Sequence, residues 1–418
     1  MNIQLPRGTY DLFNESMDKH TFVKDIVFEI FNIYGFNEIK TPIFESSDLF
    51  TRSVGETSDI VNKEMYTFED KKGRSLSLRP EFTAPVVRSY LERKCYGSNP
   101  KQKYCYYGPA FRYERSQKGR FRQFYQLGIE ALGTSNLYQD VELISMANTI
   151  ISNFGLSDKV ELKINSIGNI ESRLSYKETL KSYFSDYKSD LCQDCISRLD
   201  TNPLRILDCK VDSNKDIIKQ APSILDSLLS KSKDRFDKVC TELSNLNIKY
   251  RIDNTLVRGL DYYNDTVFEF VYKTNDTDYT IIAGGRYDGL VSQLSNQDQP
   301  GFGFALGIER LISTIEEVNE SVFEDIYFNI DIIISARDKD SLKTALDYSN
   351  KLREIGLRVE VDFDQTNLKQ VYKFAEQNNL IYIMLLENDE IKLKELGQED
   401  YQQINIDDFI QNLRSEHD

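Results

Sequence analysis

The residues with the clearest chemical potential form a cluster of positive charge between Arg112 and Arg122. One acidic residue, Glu114, accompanies five cations, so this segment carries a net charge of +4 in a chain whose net charge is −15. Charge alone would fit a solvated turn. On an acidic protein, a local basic cluster is better explained as a binding site for polyanions, either nucleotide phosphates or a nucleic-acid end. The five cations are Arg112, Arg115, Lys118, Arg120 and Arg122.

The segment that follows the cluster alternates in the manner of a β-strand. Its alternation places Phe124, Gln126, Gly128 and Glu130 on one face. A ring, an amide and a carboxylate are an unusual set for a solvent-facing strand, so this face is predicted to contact a ligand. The two predicted strands that flank the cluster are Tyr104–Glu114 and Phe121–Glu130.

Two further arginines stand beside predicted strands. Arg258 lies in LVRGLDYY, where its guanidinium would keep its charge and could bind a carboxylate or phosphate in a fixed fork. Arg310 lies in GFGFALGIERL, whose glycines let the backbone approach a ligand. The G-x-G spacing alone does not indicate a dinucleotide site, because the strand–helix–strand context with its acidic partner is missing.

Histidine and cysteine limit the possible chemistry. The chain has two histidines, His20 and His417, so a mechanism that relies on a Ser-His pair or a histidine base is set aside. Cys192-x2-Cys195 together with Cys209 could suggest zinc, but a closed structural zinc site needs four ligands. We therefore expect reduced structural thiols and no metal held by cysteine or histidine.

Length and composition describe a globular enzyme. The 418 residues suggest two or three domains, and 40% hydrophobic with 28% charged residues fit a folded, soluble chain. No run of about 18 apolar residues occurs, so no membrane span is predicted. The N-terminal segment MNIQLPRGTYDLF lacks the layout of a secretion signal, which predicts a cytoplasmic protein.

Periodicity predicts the elements that position these residues. A mixed series of strands and helices is expected up to about residue 324, and the stretch 171–245 is predicted to be a helical insertion. The predicted elements are helix Ser16–Tyr34, a strand over Phe36–Phe50 interrupted by Pro42, a hairpin of residues 65–69 and 75–79, helix Asn136–Ile151, and strands Val160–Ile164, Lys249–Ile252, Val267–Tyr272 and Tyr279–Ala283. GFGFALGIERL is predicted to begin as a strand and become a helix.

A second alternation of elements begins near residue 325. Its βαβαβ order predicts a parallel-rich α/β sheet in residues 325–418. From Asp331 to Asp418 there are 11 basic and 19 acidic residues, a net charge of −8, so this part is a poor sequence-independent RNA binder. The predicted elements are strand Tyr327–Ile334, helix Lys339–Ile355, strand Arg358–Phe363, helix Asn367–Gln377, strands Leu380–Leu386 and Tyr401–Ile406, and helix Asp407–Arg414.

The same segments carry a family resemblance over essentially the whole chain. R-Y-E-R-x-Q-K-G-R-x-R-Q-F-x-Q-x-G-x-E, from Arg112 to Glu130, resembles motif 2 of class II aminoacyl-tRNA synthetases in the form found in histidyl-tRNA synthetases. LVRGLDYYNDTVFEF, GGRYDGL and GFGFALGIERL are similar to segments of the same family, the last as motif 3.

The resemblance implies a fold and a domain arrangement. Residues 1–324 would form an α+β catalytic domain on a mainly antiparallel class II synthetase sheet, with the insertion near the tRNA acceptor arm or serving as scaffold. Residues 325–418 would form an α/β anticodon-binding domain. Phe36–Phe50 would be motif 1, which builds the dimer interface in this family, so a homodimer is expected.

The resemblance also assigns roles to residues. Arg258, Arg112 and Glu130 would be catalytic, and Arg115 with Gln117 would contact the tRNA acceptor end. Mg²⁺ would arrive with ATP and be held partly by Glu114 or Glu130. The implied ATP-binding residues are Arg112, Glu114, Arg120, Phe124 and Arg310. The implied histidine-binding residues are Glu81, Thr83, Arg112, Gln126, Glu130, Arg258, Tyr262, Tyr263 and Tyr287.

The implied function is that of a histidine–tRNA ligase, which uses ATP to join L-histidine to tRNA(His). One alternative is the histidine-binding regulatory subunit of ATP phosphoribosyltransferase, whose members generally lack the C-terminal domain and the full arginine set. Another is a degenerate module that senses uncharged tRNA, although such a sensor would not need ATP-binding residues.

Several positions depart from the family pattern. Phe82 stands where bacterial members usually have glycine, which calls the local backbone conformation into question, and Ser116 and Tyr125 also differ. In the C-terminal part, DQTNLKQ (Asp364–Gln370) replaces a basic segment, and LLENDE (Leu385–Glu390) lacks the usual glycine.

Overall fold

The structure is a computed structural model of the chain. It describes residues 3–55, 58–114, 119–209, 211–258, 260, 262–274, 278–324, 330–387, 390–398 and 400–417. The chain divides into two compact units, residues 1–325 and 326–418. Each unit is described separately below.

The strands of the described residues fall into three sheets. In chain order they are β1 (Asn37–Glu38), β2 (Phe44–Ser46), β3 (Thr67–Glu69), β4 (Ser75–Leu78), β5 (Gln102–Phe111), β6 (Gln123–Leu132), β7 (Val160–Ser166), β8 (Arg251–Ile252), β9 (Asn264–Tyr272), β10 (Tyr279–Arg286), β11 (Gly301–Gly307), β12 (Ile332–Ala336), β13 (Val359–Asp362), β14 (Tyr382–Glu387), β15 (Glu390–Glu395) and β16 (Gln402–Gln403).

The α-helices of the described residues cover both units. In chain order they are α1 (Glu15–Ile33), α2 (Ser47–Val54), α3 (Thr83–Glu92), α4 (Cys95–Ser98), α5 (Leu137–Asn153), α6 (Ile170–Ser185), α7 (Gln193–Thr201), α8 (Asp216–Lys219), α9 (Ser230–Asn245), α10 (Leu290–Leu294), α11 (Ile308–Val318), α12 (Ser341–Glu354), α13 (Leu368–Gln377) and α14 (Ile406–His417). Of the helices that the structure describes, none is both long and apolar enough to cross a membrane.

An eight-stranded mixed sheet organises the first unit, in the order β1-β5-β6-β11-β10-β9-β7-β8. Its inner strands pair antiparallel, and the outermost strands β1 and β8 each pair parallel with their neighbour. The hairpin β5–β6 is in register from Gln102 opposite Leu132 to Phe111 opposite Gln123, so the basic segment connects two adjacent strands of the sheet. Both strands begin and end close to their predicted limits.

The predicted strand Phe36–Phe50 is partly wrong. Two short strands, β1 and β2, lie on either side of Pro42, and the chain becomes helix α2 from Ser47. Proline cannot donate a ladder hydrogen bond, which separates the two strands. Phe50 and Val54 are both buried and lie four residues apart, a spacing that suits one face of a helix. Strand β2 instead joins the predicted hairpin β3–β4 in a separate three-stranded sheet, in the order β2-β4-β3.

The described residues of the stretch 171–245 are mainly helical, as predicted, and short 3₁₀ turns lie between α6, α7, α8 and α9. Its buried side chains, among them Tyr176, Leu180 and Phe184, belong to the same hydrophobic core as Tyr262 and Tyr287. The insertion therefore packs against the segments that carry the predicted ligand-binding tyrosines.

The second unit contains a five-stranded sheet in the order β13-β12-β14-β15-β16. Strand β12 is parallel to β13 and β14, which agrees with the predicted crossovers, while β15 and β16 are antiparallel. Ile332 and Ile334 pack in one hydrophobic core with α12, and Ile333 packs in another with α13, so the sheet is covered on both faces.

Two predictions for this unit are wrong. Strand β15 was not predicted, although Ile391 and Leu393 alternate with charged residues and are buried. The strand predicted at Tyr401–Ile406 is shortened to Gln402–Gln403, because α14 already begins at Ile406. The first residues of the strand predicted at Tyr327–Ile334 lie outside the described residues.

Candidate active site

A cavity of about 310 Å³ opens on the eight-stranded sheet of the first unit. Its walls come from β6, β9, β10 and β11, from the start of α3 and from the residues that flank the basic segment. The predicted site residues that line it are Glu81, Thr83, Arg112, Glu114, Arg120, Phe124, Gln126, Arg258, Tyr262, Tyr263 and Arg310. Arg115, Ser116 and Gln117 lie outside the described residues.

Arg310, Arg120 and Arg112 share one part of the cavity. Arg310 donates from Nε to the Gly119 carbonyl at 3.0 Å and from Nη1 to the Thr280 carbonyl at 2.9 Å. Arg120 lies 3.5 Å from the Glu114 carboxylate. Burial and the nearby positive charge of Arg120 lower the pKa of Arg310, which means that its charged form lacks full compensation. An anionic ligand would supply that compensation.

Arg112 joins this group from the end of β5. Its Nε donates to the Pro80 carbonyl at 2.9 Å, and its guanidinium lies 5.4 Å from the centre of the Phe124 ring. The backbone hydrogen bond fixes the side chain beside Glu81, while the Phe124 ring offers an aromatic face to the same cavity. A planar base could stack on such a face while the arginine binds its phosphates.

Arg258 faces the cavity from the loop before β9. It forms an ion pair with Glu269 of β9, and its guanidinium lies 5.3 Å from the centre of the Tyr263 ring. Thr280 donates to the other oxygen of Glu269 at 2.8 Å, which holds the carboxylate in place. Within the described part of the chain, the buried Nε of Arg258 has no hydrogen-bond partner. It is therefore free to bind a carboxylate or phosphate.

Glu81 lies at the N-terminus of α3. Its carboxylate accepts hydrogen bonds from the backbone N–H groups of Thr83 at 2.6 Å and Ala84 at 3.0 Å. Burial raises the pKa of Glu81, while these two donors oppose that shift. A buried acid held at a helix N-terminus can bind an ammonium group, because the cation restores favourable interactions lost with water.

Glu130 is buried, 1% exposed, one hydrogen bond behind the cavity wall. It accepts from Thr83 Oγ1 at 2.6 Å and from the Tyr106 hydroxyl at 3.2 Å, and the Tyr287 hydroxyl donates to its second oxygen. Burial, together with the charge of Glu81, raises the pKa of Glu130 to about 8. The structure thus places Glu130 and Tyr287 together, and they reach the cavity through Thr83 and Tyr106.

Glycines on β11 make this arrangement possible. Gly303 stands opposite Glu130, and a Cβ at Gly303 would lie 2.0 Å from Glu130 Oε2. Gly307 stands opposite Gln126, where no described atom lies within 4 Å of a Cβ position. Glycine at position 303 leaves room for the Glu130 carboxylate within the sheet, and glycine at position 307 leaves open space beside the Gln126 amide.

Gln126 contributes an unsatisfied acceptor to the cavity. Its Oε1 is buried, and no described donor lies within hydrogen-bonding reach. A buried acceptor without a partner is costly, about 1–3 kcal/mol, and an N–H donor of a ligand would remove that cost. Gln126 is therefore placed to read a polar group of the bound molecule.

The aromatic departures have regular structural roles. Phe82 has φ −109° and ψ −21°, an ordinary conformation for any residue, and its ring stacks on Tyr106 with centroids 4.4 Å apart. The Arg79 guanidinium also lies 3.9 Å from the centre of the Phe82 ring. Tyr125 stacks on Tyr107 at 5.5 Å. Neither residue distorts the backbone.

Two acidic residues of the cavity were missed from the sequence, Glu269 and Glu309. Glu309 accepts a hydrogen bond from the backbone N–H of Tyr125 at 2.7 Å and another from the Tyr10 hydroxyl. Glu269 interrupts the apolar run of strand β9, a signal that could have identified it. Glu309 lies next to Arg310 in helix α11, where a charged residue does not interrupt an apolar run. Its position in the sequence therefore gave no comparable signal.

The sheet and its arginine-lined cavity are those of a class II aminoacyl-tRNA synthetase, as comparison with known proteins shows. A family model described as histidyl-tRNA synthetase matches residues 8–311. The chain is 46% identical over 397 residues to the histidine–tRNA ligase of Halothermothrix orenii, covering 94% of this chain and 93% of that one. Its identity to the histidine–tRNA ligase of Bacillus licheniformis is 43% over 424 residues, covering 99% of each chain.

A solved structure agrees with these sequence relatives. The crystal structure of apo histidyl-tRNA synthetase from S. aureus is similar with a TM-score of 0.81 at 37% identity, covering 98% of this chain and 99% of that one. The chain belongs to the histidyl-tRNA synthetase family.

Proposed function

We propose that this chain is a histidine–tRNA ligase, which activates L-histidine with ATP and transfers the histidyl group to the 3′ end of tRNA(His). The observation that carries the proposal is a single cavity lined by four arginines, Arg112, Arg120, Arg258 and Arg310, and by the buried carboxylate of Glu81. Such a cavity suits a polyphosphate together with an amino acid. The sequence relatives described as histidine–tRNA ligases support this substrate pair.

In the first step, the histidine carboxylate attacks the α-phosphorus of ATP, the bond to the bridging oxygen breaks, and pyrophosphate leaves with histidyl-adenylate formed. Arg258 and Arg112 would stabilise the charge that develops around the α-phosphorus. Arg120 and Arg310 would bind the outer phosphates, with adenine stacked on Phe124. Fixed cations already in place lower the barrier because they need little reorganisation, so this step requires no general base.

Glu81 and Gln126 would recognise the amino acid. Glu81 would bind the α-ammonium group with Thr83 beside it, and Gln126 Oε1 would accept a hydrogen bond from the imidazole N–H. Neutral imidazole offers one donor and one acceptor. Tyr262 and Tyr263 would enclose the ring. Glu130 and Tyr287 would act indirectly, by fixing the Tyr106 and Thr83 hydroxyls.

Of the two carboxylates considered for Mg²⁺, Glu114 fits the ion and Glu130 does not. Mg²⁺ at such sites takes one or two carboxylates together with substrate phosphates and water. Glu114 lines the cavity beside Arg120, where the outer phosphates would lie. Glu130 accepts three hydroxyl hydrogen bonds and is buried. The ion would neutralise phosphate charge, and Glu114 would orient it.

The rest of the chain would serve the second step. Arg115 and Gln117 would contact the acceptor end of tRNA, and residues 325–418 would bind the anticodon locally, since this part is acidic overall.

Dimerisation through the motif 1 region is supported by Phe44 and Phe68, whose rings lie 6.4 Å apart and are 52% and 43% exposed. We place this activity in the cytoplasm.

The test is histidine-dependent exchange of pyrophosphate into ATP without tRNA. We expect exchange by the full chain and a loss of about 10²–10³-fold in Arg258→Ala, because a transition-state contact is removed. Arg251→Ala is the matched control, since Arg251 pairs with Glu161 away from the cavity. Exchange that survives in Arg258→Ala would contradict the role of this arginine while retaining the ligase.

The alternative function, a histidine-binding regulatory subunit of ATP phosphoribosyltransferase, is not favoured. The chain covers nearly the full length of relatives described as histidine–tRNA ligases, and it retains Arg112, Arg258 and Arg310 in one cavity. A folded, histidine-binding protein without any exchange activity would reverse this preference.

A further inference from the structure

A second cluster of chemically active side chains lies inside the helical insertion. Cys192, Cys195, Cys209 and Asp212 each offer one ligand atom, and these atoms all lie within 4.8 Å of one another. Cys192 and Cys195 stand at the start of α7, while Cys209 and Asp212 follow the 3₁₀ turn Pro203–Ile206. The two ligand pairs are brought together by a tight return of the chain.

The geometry suits a tetrahedral metal. With zinc–sulfur bonds of about 2.3 Å, two thiolates on one tetrahedral ion lie about 3.8 Å apart. The Sγ atoms of Cys192 and Cys209 lie 3.7 Å apart, which matches this spacing and is far beyond the roughly 2.05 Å of a disulfide. Three thiolates with one carboxylate select zinc over magnesium or calcium, because the latter prefer oxygen ligands.

The surroundings hold the carboxylate in position. Asp212 is fully buried, the backbone N–H of Cys192 donates to its Oδ2 at 2.8 Å, and the Lys215 ammonium lies 2.7 Å from its Oδ1. Four anionic ligands around Zn²⁺ leave a net charge of about −2, by the ligand charges needed for binding. Lys215 reduces that charge, and it also donates a hydrogen bond to the carbonyl of Asp190, just before the first ligand.

We propose that Cys192, Cys195, Cys209 and Asp212 form a structural zinc site that closes the insertion. The site needs no histidine, and Asp212 is the fourth ligand that the sequence did not reveal. Between the ligand pairs, Arg198 and Arg205 both contact the Asp59 carboxylate, at 2.9 and 3.2 Å. The metal therefore fixes the segment between the ligand pairs, whose Arg198 and Arg205 connect the insertion to Asp59 in the rest of the first unit.

The first measurement is the metal content of the full chain, purified without a histidine tag and under reducing conditions. Inductively coupled plasma mass spectrometry should find one zinc ion per chain. Cys209→Ser and Asp212→Asn should lower zinc affinity by about 10-fold or more in a chelator competition. Cys240→Ser is the matched control, since Cys240 is a buried thiol outside the cluster, and it should retain zinc.

A second measurement does not depend on the folding of the variants. Cobalt added to metal-free wild-type protein should give the intense thiolate charge-transfer absorption and the ligand-field bands of a tetrahedral site. Added zinc should raise the urea midpoint of wild type, since a ligand that binds the folded state stabilises it.

Three results would overturn the proposal. The first is wild-type protein that carries no more zinc than Cys209→Ser. The second is a cobalt complex that lacks thiolate absorption. The third is a reduced preparation whose mass is lower by two hydrogens and whose peptide map links Cys192 to Cys209, which would identify a disulfide between them instead.

Discussion

Gln126 gives the cavity an acceptor that the protein itself does not satisfy. If this oxygen accepts the imidazole N–H, Gln126→Ala should raise the KM for histidine by about 10–100-fold in pyrophosphate exchange, the cost of a lost buried hydrogen bond. The KM for ATP should change little. Gln139→Ala is the matched control, because Gln139 Oε1 is also buried without a described partner but lies in α5, outside the cavity.

Glu130 should make the stability of the first unit depend on pH. Its pKa rises from 4.5 to about 8 on folding, chiefly through burial. Between these two values the folded state binds more protons than the unfolded state, so stability falls as pH increases. Glu130→Gln has no such proton, and its free energy of unfolding should decline less between pH 5 and pH 8, by about 2 kcal/mol or more.

Urea unfolding followed by circular dichroism at the two pH values would measure this difference. The control is Glu142→Gln, which removes a partly exposed glutamate that pairs with Lys103 at the surface. An equal decline in wild type and Glu130→Gln would show that the buried carboxyl is ionised throughout.

At single positions, sequence reasoning found the residues that belong to a long motif. Arg112, Phe124 and Gln126 were predicted because strand alternation and charge both marked them, and the cavity brings them together. Asp212 was missed because it meets its partners only through the fold, and Glu269 was missed although it interrupts the apolar run of strand β9. Arg258 pairs with Glu269 across a loop and part of a strand, and Asp212 meets Cys192 across helix α7 and a 3₁₀ turn.

Arg286 and Asp140 join several elements through one buried ion pair. Both side chains are fully buried, and Asp140 of α5 also pairs with Arg235 of α9 at 2.8 Å. Arg286, at the end of β10, binds Asp288 at 2.8 Å as well. This network fixes α5 and α9 against the sheet that carries the cavity.

Arg286→Met should lower the free energy of unfolding by about 3–5 kcal/mol, because it leaves Asp140 buried with one cation fewer. Arg251→Met is the matched control, since Arg251 is half exposed and its ion pairs should contribute about 1 kcal/mol or less. Chemical denaturation of both variants measures the contrast, and equal losses would contradict it.

Among the secondary-structure elements, those with a clear periodicity of apolar residues were predicted well. Those whose residues suit both a helix and a strand were not. Strand β6 contains the alternating residues Phe124, Gln126, Gly128 and Glu130 that predicted it, whereas Ser47–Phe50, the end of a predicted strand, belongs to helix α2. Phe50 and Val54 of that helix lie one helical turn apart. Strand β15 carries an alternation of its own, but over only the six residues Glu390–Glu395, and it pairs antiparallel with β14.

For the molecule as a whole, the exposed rings of Phe44 and Phe68 predict the oligomeric state. If the proposed dimer forms through these rings, Phe44→Glu should give a monomer in light scattering after size-exclusion chromatography, because a charge would be buried in an apolar contact. Phe363→Glu, at a similarly exposed ring in the second unit, should leave the dimer intact. A monomeric wild type would remove the basis of this prediction.

The eight-stranded sheet ends on both sides in very short strands. β1 and β8 span two residues each, and each includes an exposed charged residue, Glu38 and Arg251. An unpaired strand edge can recruit another chain, but two residues offer few free N–H and C=O groups, and charges oppose such pairing. At its two outermost strands the sheet therefore offers little to which a further chain could add, although no barrel closure removes these edges.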